Sequence, residues 1–383
     1  MQLNLYSKDL KHSVDKASTY KLLQLTPELL EYINKREDNK PTNNDQRIYL
    51  KSMDRSNSDV VLVTDRNTFV LRQKMHSNTV LLMENNKNNG SDYNVFSKQN
   101  FELELLKSEG KIDISLLPIL HRNKKLIVDN KSKLHLTLDE FISISPCSVT
   151  EFYRQWYKFG GCITTDGGIA CLLSNEYISE VLHILLNCII IGNDAVFRDL
   201  TLEQCQEFIS KEVNNEGMSI DKEVIHTILE KFGDSTGLIT SNSDDAGTKS
   251  YALNTFEIAK WYGIKSLRKF CSKQYLSIED FLIKWKSQFP PYFPCDIDLT
   301  MLVGFYVKDI NRDRISYLDK NGLSGNIKQR FKELFKLQNT WNESEIWPFI
   351  EQLNTLNLKP ESFIMKYARR KRIKKNKYVI TSR

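Results

Sequence analysis

Several common functional signatures are missing from this 383-residue chain. No segment reads G-x-x-x-x-G-K-[ST], the loop whose backbone amides cradle nucleotide phosphates, so ATP turnover by this chain is not expected. The seven cysteines (Cys147, Cys162, Cys171, Cys188, Cys205, Cys271 and Cys295) make an odd set without a C-x-x-C pair. That argues against a zinc ribbon or a disulfide framework and reads as reduced, buried thiols. Six histidines (His12, His76, His121, His135, His183 and His226) are scattered without metal-ligand spacing. His183 lies in an apolar helical run and reads as a hydrogen-bonded core residue. The longest apolar stretch, 181–191, falls short of a membrane span and is broken by His183 and Asn187. The first residues lack a basic-then-apolar signal segment, so secretion is not expected. Neither an enzyme, a cofactor nor a membrane partner is indicated.

Tryptophan is absent from the first 155 residues, and acid is absent from the last eighteen. Those eighteen, 366–383, carry nine lysines and arginines, although the whole chain sums to only +6. The preceding residues therefore sum to −3, and a mildly acidic protein ends in one concentrated cationic element. From Pro360, a residue suited to a first helical position, the apolar Phe363, Ile364, Tyr367 and Ala368 share a sector of about 140° at 100° per residue. Ser362, Lys366, Arg369, Arg370 and Arg372 fall on the other side, so the periodicity predicts a helix over 360–372 with a basic outer face. Residues 377–381 read as a short strand. Such a helix could place its cations on DNA phosphates, and the candidate DNA-binding residues are Lys366, Arg369, Arg370, Arg372, Lys374, Lys375 and Lys377. The same run also fits a nuclear localisation signal or a solvated tail, and both readings stay open.

With 40% hydrophobic and 27% charged residues the chain has an ordinary globular balance, and its length suits several domains. The front is strand-rich: short alternating segments recur at 47–53, 59–64, 68–73, 78–83 and 101–106, interrupted by polar insertions at 34–46 and 85–90. Close strand spacing predicts a β-barrel or curled sheet over 1–120, with edges that a partner could complete. Residues 121–133 read as a linker.

Behind it the period becomes helical. Thr137, Ser148, Thr201, Ser277 and Asn342 each precede an acid or amide by three positions, the capping-box arrangement that satisfies free helix N–H groups. Helical runs at 174–191, 201–213 and 219–232 precede a hairpin at 237–240 and 250–253. Runs at 255–270, 277–288 and from Asp298 precede a second hairpin at 305–308 and 315–318. Runs at 326–338, 342–354 and 360–372 precede the terminal strand. Three helices and then a hairpin, three times over, is the winged-helix plan. The expected fold is thus an α+β multidomain chain: a partner-dependent β-barrel at 1–120, an elaborated winged helix at 134–253, and two more at 254–322 and 323–383. An irregular helical scaffold without a DNA role fits the pattern as well.

Remaining candidates are few. Lys265, Arg268 and Lys269 share one helix face and form a secondary DNA-binding candidate or a solvated face. Asp296 and Asp298 follow Pro290-Pro291-Tyr292-Phe293-Pro294 and suit helix capping better than a metal pair.

The residues also carry a resemblance. Phe363-Ile364-Met365-Lys366-Tyr367-Ala368-Arg369-Arg370-Lys371-Arg372, ending in Thr381-Ser382-Arg383, resembles the fungal cohesion subunits named for being "defective in sister chromatid cohesion". So do Tyr20-Lys21-Leu22-Leu23-Gln24-Leu25-Thr26-Pro27, His76-Ser77-Asn78-Thr79-Val80-Leu81-Leu82-Met83, Ala259-Lys260-Trp261-Tyr262-Gly263-Ile264 and Phe281-Leu282-Ile283-Lys284-Trp285-Lys286. The segments keep family order from Tyr20 to the end, while the Asn-rich insertions fit poorly. The resemblance implies a nuclear, non-catalytic subunit of the alternative replication factor C clamp loader. It further implies a barrel shared with the small and large chromosome-transmission-fidelity subunits and docking onto the catalytic subunit of DNA polymerase epsilon. Tandem winged helices would bind DNA, and the complex would act on the sliding clamp PCNA at replication forks in support of sister chromatid cohesion.

Overall fold

In the computed structural model the described residues are 4–7, 21–38, 48–52, 60–85, 92–122, 126–127, 135–192, 197–213, 219–239, 248–309, 313–354, 358–374 and 377–383. The chain divides into two units, Met1–Ser174 and Asn175–Arg383; most of the linker expected at 121–133 lies outside the described residues.

The first unit starts with a six-stranded sheet. Its strands are β1 (Asn4–Ser7), β2 (Leu23–Gln24), β3 (Tyr49–Ser52), β4 (Val60–Val63), β5 (Thr68–Asn85) and β6 (Asp92–Ser108), with helix α1 (Pro27–Asp38) between β2 and β3. The order is β1-β6-β5-β4-β3, and β2 also pairs with β6. Val61, Leu62 and Val63 are buried, which explains why this apolar run extends rather than coils. Leu29 of α1 packs on Leu62, Phe69 and Leu105. The chain does not close a barrel by itself: among the described residues β3 pairs only with β4 and β1 only with β6, so the sheet is open, and the barrel expected with partners is not seen in the single chain. Closure needs hydrogen-bonded neighbours on both edges, and these strands supply none for each other.

The rest of this unit contains β7 (Ile119–Leu120), β8 (Leu126–Ile127), α2 (Leu138–Ile144), α3 (Val149–Phe159), β9 (Gly161–Ile163) and β10 (Ala170–Leu173). It is fastened to the sheet by polar contacts. The Lys51 ammonium donates to the carbonyls of Ile142, Ser145 and Cys147 at 2.9, 3.1 and 3.3 Å. The Thr68 hydroxyl donates to the Glu151 carboxylate, and the Thr150 hydroxyl donates to the Asp65 carbonyl.

In the second unit, three sheets share one topology. The first motif has α4 (Asn175–Gly192), β11 (Leu200–Thr201), α5 (Leu202–Val213), α6 (Lys222–Phe232), β12 (Gly233–Ile239) and β13 (Thr248–Leu253). The second has α7 (Thr255–Phe270), β14 (Leu276–Ser277), α8 (Ile278–Lys286), a 3-10 turn Leu299–Leu302, β15 (Tyr306–Asp309) and β16 (Arg314–Tyr317). The third has α9 (Ile327–Leu337), β17 (Thr340–Asn342), α10 (Glu343–Ile350), α11 (Pro360–Tyr367), β18 (Arg369–Lys374) and β19 (Lys377–Thr381). Each time a strand of two or three residues pairs antiparallel with the last strand of the hairpin.

Those short strands were not expected from sequence, although their last residues were. Thr201, Ser277 and Asn342 end the strand and begin the helix. The Thr201 and Ser277 hydroxyls accept from the N–H groups of Gln204 and Asp280 at 3.2 and 3.1 Å. At Asn342 the side chain instead donates to Glu345. The plan recurs in the first unit, where Thr137 bridges Ile169 beside the β9–β10 hairpin and caps α2 with a complete capping box.

The three motifs of the second unit share packing. Phe232 meets Trp261 edge-on, and the Trp261 indole N–H donates to the Ser179 hydroxyl. The Trp285 indole N–H donates to the Ala259 carbonyl, and Gly263 lets the ring cross α7, since a Cβ there would lie 2.7 Å from it. The third core gathers Phe331, Leu334, Trp341, Ile346, Phe349, Ile364 and Ile380, each worth roughly 1.5–3 kcal/mol on burial.

Candidate nucleic-acid interface

The terminal element is built differently from the expected continuous helix. Pro360 occupies the start of α11, and Phe363 and Ile364 are buried as the periodicity required. The helix then stops at Tyr367, and Ala368 is extended (φ −135°, ψ 171°). Arg369, Arg370, Arg372 and Lys374 therefore belong to strand β18, not to a helix. The reason is competition. A helix through this run would stack like charges without i,i+4 acids, whereas pairing with β19 satisfies the backbone and buries Ile380.

A strand divides the charges by a period of two. Arg370 and Arg372 lie opposite Ile380 and Tyr378, and Arg369 and Lys371 lie opposite Thr381 and Val379. Residues directly opposite share a face. Arg370 thus turns inward, with its guanidinium 3.1 Å from both Glu343 and Glu361 and 3.7 Å from the Tyr378 ring centre. Its side chain is only 19% exposed, and its charge is spent inside the fold. Arg369 and Lys371 are exposed on the other face, and Lys366 is exposed on α11. Lys371 was missed because a helical projection does not single it out; a period of two does. Lys374 and Lys377 are placed on the hairpin, and Lys375 lies outside the described residues.

Lys265, Arg268 and Lys269 of the second cluster are all exposed, and two of them lie against rings. Arg268 donates from Nε to the Tyr317 hydroxyl at 2.9 Å and stacks on that ring, while Lys269 lies over Phe270. Burial and the neighbouring Lys269 push the Lys265 ammonium below its ordinary pKa, against the opposing pull of Glu176 and Glu180. His183 Nδ1 lies 3.2 Å from the Tyr262 hydroxyl, and burial, reinforced by Lys265, lowers its pKa. Asp298 caps the 3-10 turn, accepting from the Thr300 N–H at 2.7 Å, which holds its carboxyl below the usual value.

A different electrostatic knot braces the first motif. Burial alone would raise the Glu230 carboxyl, yet hydrogen bonds from His226, Lys249 and Tyr251 overcome it and hold its pKa at about 2. That knot ties α6 to β13. Among the described residues no group of three or more His, Cys, Asp or Glu side chains could hold a metal ion, and no helix is long and apolar enough to cross a membrane.

Comparison with known proteins adds the family. The model of the family "Sister chromatid cohesion protein Dcc1" matches residues 20–350, stopping short of α11 and the terminal hairpin. The sister chromatid cohesion protein DCC1 of Saccharomyces cerevisiae is 36% identical over 403 aligned positions that cover all of both chains. A probable sister chromatid cohesion protein DCC1 of Dictyostelium discoideum is 24% identical over 371 positions, covering 91% of this chain and 90% of its own. A full-length relative at this identity, together with the family match, is decisive: the chain belongs to the Dcc1 family of sister chromatid cohesion proteins.

Proposed function

We propose that this chain serves sister chromatid cohesion as a non-catalytic, nuclear subunit of an alternative replication factor C clamp loader. In this reading the helical motifs are winged helices, and those near the C-terminus bind DNA. The observation that carries it is the thrice-repeated topology in which a short strand ahead of a helix pairs with the hairpin that follows, ending in a hairpin that exposes Arg369 and Lys371. A hairpin that pairs with a strand ahead of the second helix holds a helix and a wing in fixed relation, as groove binding needs.

The front sheet is read as part of a barrel completed by the small and large chromosome-transmission-fidelity subunits. Its β3 edge, with exposed Tyr49 and Leu50, and the exposed Met75, Leu81 and Met83 on the long hairpin support an obligate neighbour. The same assembly would link the loader to the catalytic subunit of DNA polymerase epsilon and act on PCNA. Copurification of the tagged full chain tests the partners, and recovery without those subunits overturns the assembly.

DNA contact is tested by titrating the full chain with duplex DNA at several salt concentrations. Changing Lys366, Arg369 and Lys371 to Ala should flatten the log–log salt slope by about 3, at roughly one phosphate per cation. An unchanged slope removes the terminal hairpin from the interface. A second reading, a nuclear protein-interaction scaffold whose winged helices bind only proteins, draws support from Arg370, whose charge is paired with Glu343 and Glu361 within the fold. It predicts no DNA affinity for the full chain.

A further inference from the structure

Helix α9 bears cations that neither the terminal hairpin nor its own sequence neutralises. Lys328, Lys332 and Lys336 recur every fourth residue and all three are exposed. Three lysines on other helices sit beside an acid: Lys211 by Glu207 at 2.7 Å, Lys222 by Glu203 at 3.4 Å and Lys260 by Glu257 at 3.7 Å. Among the described residues the α9 three form no ion pair. The helix contains one acid, Glu333, and both its oxygens are occupied by the Ser324 N–H at 2.9 Å and the Gln329 amide at 3.3 Å.

This arrangement opposes helix stability twice. Like charges at i,i+4 repel, and Lys328 sits in a first turn without any acid, where the helix dipole disfavours a cation. The buried side of α9, through Phe331 and Leu334, fixes the stripe rigidly on the third core.

We propose that Lys328, Lys332 and Lys336 form a phosphate track that holds the backbone of one nucleic-acid strand, separate from the terminal hairpin. It rests on the DNA-binding reading and gives it a second surface. The stripe runs about 12 Å along the helix, at 1.5 Å per residue. That length follows three or four phosphates, spaced about 3.4 Å along the axis of one strand. Phe331 stacks on Tyr367 with ring centres 5.6 Å apart, which packs α9 against α11. Gln329 flanks the stripe, and Leu337, the exposed apolar residue of α9, lies about 140° around the helix from Lys332, off the lysine face. Protein interfaces are built around apolar anchors and are depleted of lysine, which favours a phosphodiester chain over an acidic peptide.

The test uses the full chain carrying Lys328→Gln, Lys332→Gln and Lys336→Gln together, titrated with a non-specific DNA oligonucleotide over a salt series. The salt slope should flatten by about 2–3 and affinity at low salt should fall at least tenfold. A thermal midpoint that is unchanged or raised shows that the loss is not unfolding. A control with Lys211→Gln and Lys222→Gln should bind like the parent. A triple variant with unaltered slope, while the Lys366, Arg369 and Lys371 variant loses binding, overturns the track but leaves DNA binding intact. A parent chain without DNA affinity overturns both. Capture of a polyglutamate peptide, lost in the triple variant while DNA binding persists, also overturns the phosphate assignment.

Discussion

Lys51 in the first unit and Arg330 in the second meet the same difficulty with different chemistry. Each is a cation withdrawn from water and satisfied by backbone carbonyls instead of by a carboxylate. The Lys51 ammonium gathers Ile142, Ser145 and Cys147 from the end of α2 and the turn after it, so one strand edge is tied to one segment. The Arg330 guanidinium, in a residue 3% exposed, donates to Leu323 and Ser324 ahead of α9 and to Phe349 near the end of α10. A fork joins two separate segments where a point charge collects one. The Ile142, Ser145 and Phe349 carbonyls lie in the last turns of α2 and α10 or just after them, where a positive charge is favoured.

Breaking the fork should cost most. Arg330→Met removes the donor to one buried and two part-buried carbonyls and is expected to lower unfolding stability by about 3–4 kcal/mol in urea melts of the full chain. Arg330→Lys should recover less than half, because an ammonium cannot span both segments. Lys51→Met is expected to cost about 2 kcal/mol, since Lys51 is itself only partly buried whereas Arg330 is 3% exposed. Equal losses at the two sites would undo the contrast.

Glu230 extends the contrast to an acid held by donors from two elements. Its carboxyl is ionised in the folded chain at pH values where the unfolded chain takes up a proton, because its pKa falls from 4.5 to about 2. Its stabilisation is complete above the unfolded value and drains as pH drops from about 4.5 to about 2, amounting to about 2–3 kcal/mol. Glu230→Gln should therefore destabilise at pH 7 and match the parent at pH 2, measured by denaturant midpoints. A pH-independent gap would mean that the acid's shape, not its charge, matters. The smallest effects separate the two faces of β18. Arg370→Ala should cost about 1 kcal/mol and leave the DNA salt slope unchanged, whereas Arg369→Ala should change stability by under about 0.5 kcal/mol and flatten the slope by about 1.

Much of this architecture is legible in the sequence because it is local. The capping pairs at Thr137, Ser148, Thr201 and Ser277 predict helix starts that the structure confirms, and Asp298 caps a turn as its position suggests. What local patterns could not show is pairing across distance. Leu276-Ser277 becomes a strand only because Ile315 and Arg314 lie beside it. The terminal cations were misplaced for the same reason. A basic run after Tyr367 suits a helix wheel until β19 claims it as a strand and Glu343 and Glu361 claim Arg370. The α9 stripe is readable as an i,i+4,i+8 pattern, but its lack of neutralising acids emerges only when Glu333 is seen to be engaged.

Val307 belongs to the hairpin of the second motif yet is buried in the core of the third, and Lys308 reaches across to Glu345 at 3.0 Å. Gly304, at φ +92°, sits where a Cβ would come within 2.6 Å of Pro348. The join near 322–323 is thus a boundary in sequence but not in packing. A fragment beginning at Leu323 would lack a wall of its own core and present an apolar scar to solvent. The smallest piece able to display the terminal hairpin faithfully must begin no later than the second motif, so the chain's last hairpin inherits its shape from the motif before it.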